Sequence, residues 1–157
     1  MERISFDELY LRVAKLISSR STCKRRRVGC VLVDAENRVL ATGYNGVARG
    51  RSHCIVSPCV GANLPSGTGL NSCEAIHAEE NAKSQAAVMG NFHLIHTAYV
   101  TASPCINCVK SYLNTPLKRF IFIEDYPHCD AKKLWLKDPD REWIKVPLDY
   151  EKFEQLY

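Results

Sequence analysis

Along this chain the spacing of apolar and polar positions changes several times, and each change marks an element. Residues 5–20 carry Phe6, Leu9, Tyr10, Val13, Leu16 and Ile17 at helical spacing, and Ser5 followed by Glu8 resembles a capping box at the start. Two apolar runs, 28–33 and 39–44, read as strands, with Asp34-Ala35-Glu36-Asn37 as the hairpin turn between them. From Gly46 to Ser72 no period survives; Gly, Pro, Ser and Cys accumulate, which reads as a loop or insertion. A helix over 74–89, a short strand over 98–101 and a helix over 105–113 follow, the last stopped by Asn114-Thr115-Pro116. Residues 119–124, with Phe-Ile-Phe-Ile at their centre, read as a strand. The tail suggests a helix near 129–137, a strand near 142–146 and a final helix near 148–156. Strands alternating with helices predict one layered α/β domain over 1–157, carrying a cysteine-rich loop at about 46–73.

Composition narrows the class of protein. The 157 residues are 46% apolar and 24% charged, ordinary for a globular chain with a real core. The net charge of +4 suits an anionic ligand but is too mild to indicate a stable nucleic-acid partner. No apolar run reaches the roughly 18 residues of a membrane span, and MERISFDELY has no signal-peptide core, so a cytoplasmic location is expected. The eight cysteines are then reduced thiols rather than a disulfide framework, and the two-residue gap of Cys105…Cys108 favours metal binding.

The chemistry concentrates in His77-Ala78-Glu79 and Pro104-Cys105-Ile106-Asn107-Cys108. One imidazole and two thiolates, His77, Cys105 and Cys108, leave the fourth position of a tetrahedral zinc open, as catalytic zinc sites do. Zinc lowers the pKa of water from 15.7 towards about 7. Glu79, two residues from His77, need not bind the metal and is free to move protons. A structural clip would use a fourth protein ligand instead; the order and separation of the two strings favour catalysis, for H-x-E…P-C-x-x-C is the signature of zinc nucleobase deaminases.

On these motifs the chain resembles the deoxycytidylate (dCMP) deaminases of the cytidine deaminase-like superfamily. The likeness extends to Ala41-Thr42-Gly43-Tyr44-Asn45-Gly46, to Ser21-Thr22-Cys23 through Val28-Gly29, to Cys54 and Cys73, and to Glu124-Asp125-Tyr126, covering about 10–126. It implies a three-layer α/β/α fold around a five-stranded mixed sheet, and zinc-dependent hydrolysis of dCMP to dUMP, which feeds thymidylate synthesis. It also implies a homo-hexamer and regulation by dCTP and dTTP. Here Ala48 stands where the family often has Pro, in the neighbourhood linked to that regulation.

The resemblance also assigns substrate contacts. Asn45 is similar to the family's sugar-binding asparagine, Tyr126 to a tyrosine that closes over the nucleotide, and Ala78 and Ser103 would offer backbone groups to the base. In the basic run Lys24–Arg27, Arg25 and Arg26 are the candidates to clamp a 5′-phosphate. Cys54, Cys59 and Cys73 lie around the irregular loop and, with Cys23, which precedes the first strand, could hold a second, structural zinc, with His53 as a substitute ligand. Some dCMP deaminases carry a structural zinc, with ligands at the positions matching Cys23 and Cys54. Cys30 reads as core, His93 and His96 as ordinary histidines, and Trp135, Trp143, Tyr150, Phe153 and Tyr157 as packing for the C-terminal elements. Two other functions remain: a deaminase of another cytosine or adenine nucleotide, free base or tRNA, and a non-catalytic zinc module. Glu79 argues against the second, which has no use for a proton shuttle.

Overall fold

The computed structural model describes residues 3–126 and 129–151. Its elements are α1 (Phe6–Ser18), β1 (Gly29–Val33), β2 (Val39–Tyr44), α2 (Ala78–Val88), β3 (Thr97–Ala102), α3 (Ile106–Tyr112), β4 (Arg119–Glu124), α4 (Cys129–Trp135) and β5 (Glu142–Lys145), with short 3-10 turns at Val60–Asn63, Leu70–Ser72 and Phe92–Leu94. The strands form one five-stranded sheet in the order β2-β1-β3-β4-β5. β1 runs antiparallel to both β2 and β3, whereas β3, β4 and β5 are mutually parallel. The sheet is therefore mixed, as expected.

Alternation along β1 splits the core in two. Val31 and Val33 face Tyr10, Leu11 and Ala14 of α1. Cys30 and Leu32 face the other way, against Ala78, Ala82 and Ala86 of α2, Val109 and Tyr112 of α3, and Ala131 and Trp135 of α4. Helices thus cover both faces, which makes the three layers. Phe120 of β4 holds the far end together, with its ring centroid 4.6 Å from that of Trp135 and 5.8 Å from that of Trp143. Tyr150 is exposed instead of packed, and Phe153 and Tyr157 lie outside the described residues. So does most of the final helix expected near 148–156, of which Tyr150 and Glu151 are helical.

The buried face of α1 and the start of α2 differ from the periodic reading for identifiable reasons. Ser5 does cap α1, accepting from the Glu8 N–H at 3.1 Å. The buried face of that helix, however, is Tyr10, Leu11, Ala14 and Ser18, while Phe6, Leu9 and Leu16 point outwards. A small face is needed because β1 comes close: a Cβ on Gly29 would lie 2.0 Å from the Ala14 carbonyl oxygen. The second helix starts at 78 rather than 74 because Ile76 is engaged in an antiparallel bridge with Gly46.

Gly43 sets where α2 sits. A Cβ there would lie 2.3 Å from the Ala78 carbonyl oxygen and 2.4 Å from the Ala82 nitrogen, so only glycine lets the first turns of α2 rest on β2. The alanines at 78, 82 and 86 complete this close face. Gly43→Ala should therefore push α2 off the sheet at a cost of about 1–3 kcal/mol. Thermal unfolding should show a lower Tm, and an unchanged Tm would mean that the helix does not need this approach.

Candidate active site

Both motif segments begin helices at the same end of the sheet. His77 is the N-cap of α2 and Cys105 the N-cap of α3, each in extended backbone, with Cys108 one turn further on. The carbonyls of the two caps accept the first helical bonds, from Asn81 and Val109 at 3.0 Å each. Tyr112 on α3 ties the two helices together, its hydroxyl donating to the Glu79 carbonyl at 2.7 Å.

The three donors converge. Nδ1 of His77 lies 3.5 Å from Sγ of Cys105 and 3.4 Å from Sγ of Cys108, and all three ligand atoms fall within 4.8 Å of one another. With Zn–S about 2.3 Å and Zn–N about 2.0–2.1 Å, a tetrahedral zinc requires N···S edges of about 3.6 Å. The donor set and its spacing fit that ion. Among the described residues, no other group of three such donors is as close. Cys105 is held near 3, far below the ordinary thiol, by hydrogen bonding from Cys108 and then His77, while the Cys105 partnership raises His77 to about 9. Cys108 moves upward, through its bond to Cys105 and its burial.

Glu79 is 4% exposed, and burial raises its carboxyl to about 7. A cation at the adjacent triad acts in the opposite sense. The side chain stands where one carboxyl can both accept and return a proton.

An open pocket of about 680 Å³, including its mouth, is lined by His77, Glu79 and Cys105. Every residue singled out as a substrate contact lines this same pocket: Arg25, Arg26, Asn45, Ala78, Ser103 and Tyr126. Such a size suits a small ligand. Asn45 is engaged in the wall: Oδ1 accepts from the Val28 N–H at 2.8 Å and from Ser21 Oγ at 2.6 Å, and Nδ2 donates to the Arg26 carbonyl at 2.8 Å. Ser103 Oγ accepts from the Tyr126 N–H at 2.7 Å, and the Ser103 N–H donates to Glu124 O. The Tyr126 ring carries the Arg26 guanidinium 4.5 Å from its centroid.

Ser66, Gly67, Leu70 and Ala75 also line the pocket, and sequence reasoning did not find them. Ser66, Gly67 and Leu70 belong to the aperiodic loop, where no hydrophobic repeat signals which side faces inward, and Ala75 falls in the stretch read as the start of the second helix. Cys23 and Cys73 share this wall. The other two thiols of the second set, Cys54 and Cys59, have sulfurs 3.8 Å apart, while His53 is exposed. Cys59 is lowered chiefly by a hydrogen bond from the backbone of Glu74, aided by Cys54, Gly61 and Cys73; burial raises Cys73. The seven described cysteines are all free thiols. Cys30 lies in the core, His93 is exposed, and His96 pairs with Thr97 Oγ1 at 3.0 Å.

Comparison with known proteins settles the family. The model of the cytidine and deoxycytidylate deaminase zinc-binding region matches residues 4–124. This chain belongs to that family. A deoxycytidylate deaminase of Schizosaccharomyces pombe is 38% identical over 128 residues, which are 79% of this chain and 38% of that protein. The ComE operon protein 2 of Bacillus subtilis is 36% identical over 136 residues, 86% of this chain and 68% of its own. Among solved structures, the dCMP deaminase of cyanophage S-TIM5 in complex with dCMP and dUMP superimposes with a TM-score of 0.71 at 25% identity, covering 93% of this chain and 100% of that one. The chain thus spans about two fifths of the fission yeast relative and the whole of the phage enzyme. No helix among the described residues is long and apolar enough to cross a membrane.

Proposed function

We propose that this chain, as one domain over 1–157, deaminates dCMP hydrolytically to dUMP. The observation that carries the reading is a buried carboxylate, Glu79, in the wall of the pocket that also holds His77 and Cys105. His77, Cys105 and Cys108 would hold a zinc ion, which when bound would supply the Lewis acidity that makes water nucleophilic near neutral pH. Glu79 takes a proton from the attacking water and passes it to the ring nitrogen beside the amino-bearing carbon. It then carries the second proton to the amino group, which leaves as ammonia. A C–O bond replaces the C–N bond, and dUMP remains. Asn45 faces the sugar, the Ala78 and Ser103 backbones face the base edge, and Tyr126 covers the nucleotide. The Ser103 N–H is committed to Glu124, so its carbonyl is the group it offers. A wall that carries arginine suits a phosphate-bearing substrate. The names of the fission yeast and phage relatives support dCMP over a tRNA or a free base.

We also propose a structural zinc held by Cys23, Cys54, Cys59 and Cys73. The Cys54–Cys59 separation of 3.8 Å matches the thiolate–thiolate edge of a tetrahedral zinc site, about 3.8 Å. Backbone N–H groups of Glu74 and Gly61 reach Cys59, and that of Ala75 reaches Cys73, as suits sulfurs carrying negative charge. The enzyme works in the cytoplasm, supplies dUMP for thymidylate synthesis, and responds to dCTP and dTTP. It assembles as a homo-hexamer, for which the outward apolar side chains Phe6, Leu9 and Leu16 of α1 offer contact area.

Glu79→Gln should keep the zinc and lose turnover by at least about 10² to 10⁴, since the amide cannot relay a proton. The check is kcat on dCMP, with metal content measured alongside; near-native activity with zinc bound would end the catalytic assignment. Metal analysis of the wild type should give close to two zincs per chain, falling to about one when Cys54 and Cys59 are both replaced by Ser. A wild-type value of one that this double change leaves alone would remove the structural zinc. Sedimentation at micromolar concentration should show the oligomer, and a monomer would count against it.

A further inference from the structure

Arg25 and Arg26 are neighbours in the chain and line the same pocket, but their guanidinium groups are committed differently. Arg25 donates through Nη1 to the Gly61 carbonyl at 3.2 Å, and through Nη2 to the carbonyls of Pro65 and of Thr68, the latter at 2.9 Å. One side chain thus spans three points of a loop some 40 residues away in sequence. Lys24 Nζ adds a bond to Asn63 Oδ1 at 3.4 Å. The thiols, the Ile55 N–H bond to the Thr22 carbonyl and the Gly46–Ile76 bridge hold the ends of the loop, but its middle has little apolar anchorage: Val60 is 85% exposed and Leu64 is also exposed, and of its 3-10 turns just Gly61 and Ala62 are buried. A segment with few apolar contacts depends on its polar ones, and those made by a charged donor are the strong kind.

The fastened loop leads to Tyr126. Ser66 Oγ and the Tyr126 hydroxyl are 3.3 Å apart. Gly67 has φ +84°, the left-handed region, and a Cβ there would lie 2.6 Å from the Tyr126 hydroxyl. Glycine therefore lets the loop close on the tyrosine. Arg26 is placed otherwise. Its guanidinium lies over the Tyr126 ring, and its Nη2 is 3.3 Å from Oε2 of Glu124, whose side chain is largely exposed. An exposed ion pair contributes little and yields readily to a competing anion.

We propose that Arg25 is a positioning residue, fastening the cysteine-rich loop across the nucleotide pocket and so setting Tyr126 against the substrate, while Arg26 is the side chain that selects the 5′-phosphate. The inference rests on the reading of the pocket as a dCMP site, and it divides between two residues a clamp that the sequence assigned to both. For Arg25 to reach a phosphate it would have to release three carbonyls; Arg26 has to exchange one exposed carboxylate.

The test compares Arg25→Ala, Arg25→Lys and Arg26→Ala in kcat/KM for dCMP and for deoxycytidine, together with hydrogen exchange of the amides at 61–70. Both Arg25 variants should lose dCMP and deoxycytidine turnover by the same factor, about 10- to 100-fold for misplacement of a wall. The 61–70 amides should exchange faster, while those of α2 and α3 stay protected. Added methylguanidinium should restore part of the activity of Arg25→Ala on both substrates, by refilling the carbonyl cradle. Arg26→Ala should lose dCMP at least about tenfold more than deoxycytidine, a difference within the range of charge-assisted contacts. Lysine keeps a charge for a phosphate but lacks the planar fork whose two separated nitrogens reach the Gly61 carbonyl on one side and those of Pro65 and Thr68 on the other. Hence an Arg25→Lys variant with native dCMP turnover, or an Arg25→Ala variant that loses dCMP alone with exchange at 61–70 unchanged, overturns the assignment. If the wild type turns over neither substrate, the dCMP reading has failed, and the exchange measurement still decides whether Arg25 holds the loop.

Discussion

An imidazole and two thiols must meet around one point, and nearly everything in this molecule serves that meeting. The donors sit on two separate helices, so their distances are only as good as the packing of α2 and α3 on a common sheet. β1 and β3, buried along their whole lengths, supply the rigid floor. Gly43 and the alanines of α2 let one helix come close, and the Tyr112–Glu79 hydrogen bond fixes the other against it. The resulting N···S separations of 3.4 and 3.5 Å match a zinc tetrahedron without rearrangement. Preorganisation of this kind removes a cost that would otherwise fall on metal binding.

Burial of Glu79 belongs to the same constraint. A carboxylate in the wall of a pocket is unfavourable unless something there uses its charge or its proton. Its place in sequence, two residues after His77, puts it on the first turn of α2, beside the donors but outside the ligand set. The short stretch 77–79 therefore places an imidazole of the donor triad and a buried carboxyl at one helix start. That economy explains why the motif is so compact.

How much of this was legible in the sequence follows from the physics of each part. His77, Glu79, Cys105 and Cys108 could be read because their chemistry needs particular atoms at particular spacings. The strands could be read because β1 and β4 are short apolar runs with turn residues around them. The inward face of α1 could not, since Leu11 and Ala14 face the sheet for the sake of the Gly29 approach, which no hydrophobic repeat records. The start of α2 was missed because Ile76 pairs with Gly46, a long-range bridge. The pocket wall at Ser66, Gly67 and Leu70 was missed because aperiodic chain carries no signal of its inward side. Arg25 was read by its charge, while its three carbonyl partners lie far away in sequence.

The molecule is thereby divided in its dependence on sequence. The three donors and the Glu79 carboxyl stand on helices seated against the sheet, where one altered residue disturbs many neighbours. The outer wall of the pocket is a loop whose attachments are mostly polar: three carbonyls to Arg25, Asn63 to Lys24, Ser66 to Tyr126, a bridge at Gly46 and Ile76, and a cluster of thiols. Residues 61–73 contribute no strand to the sheet. A scaffold of this kind separates what it does to a molecule from which molecule it admits, so lineages can diverge in substrate by rewriting the loop while inheriting the reaction intact.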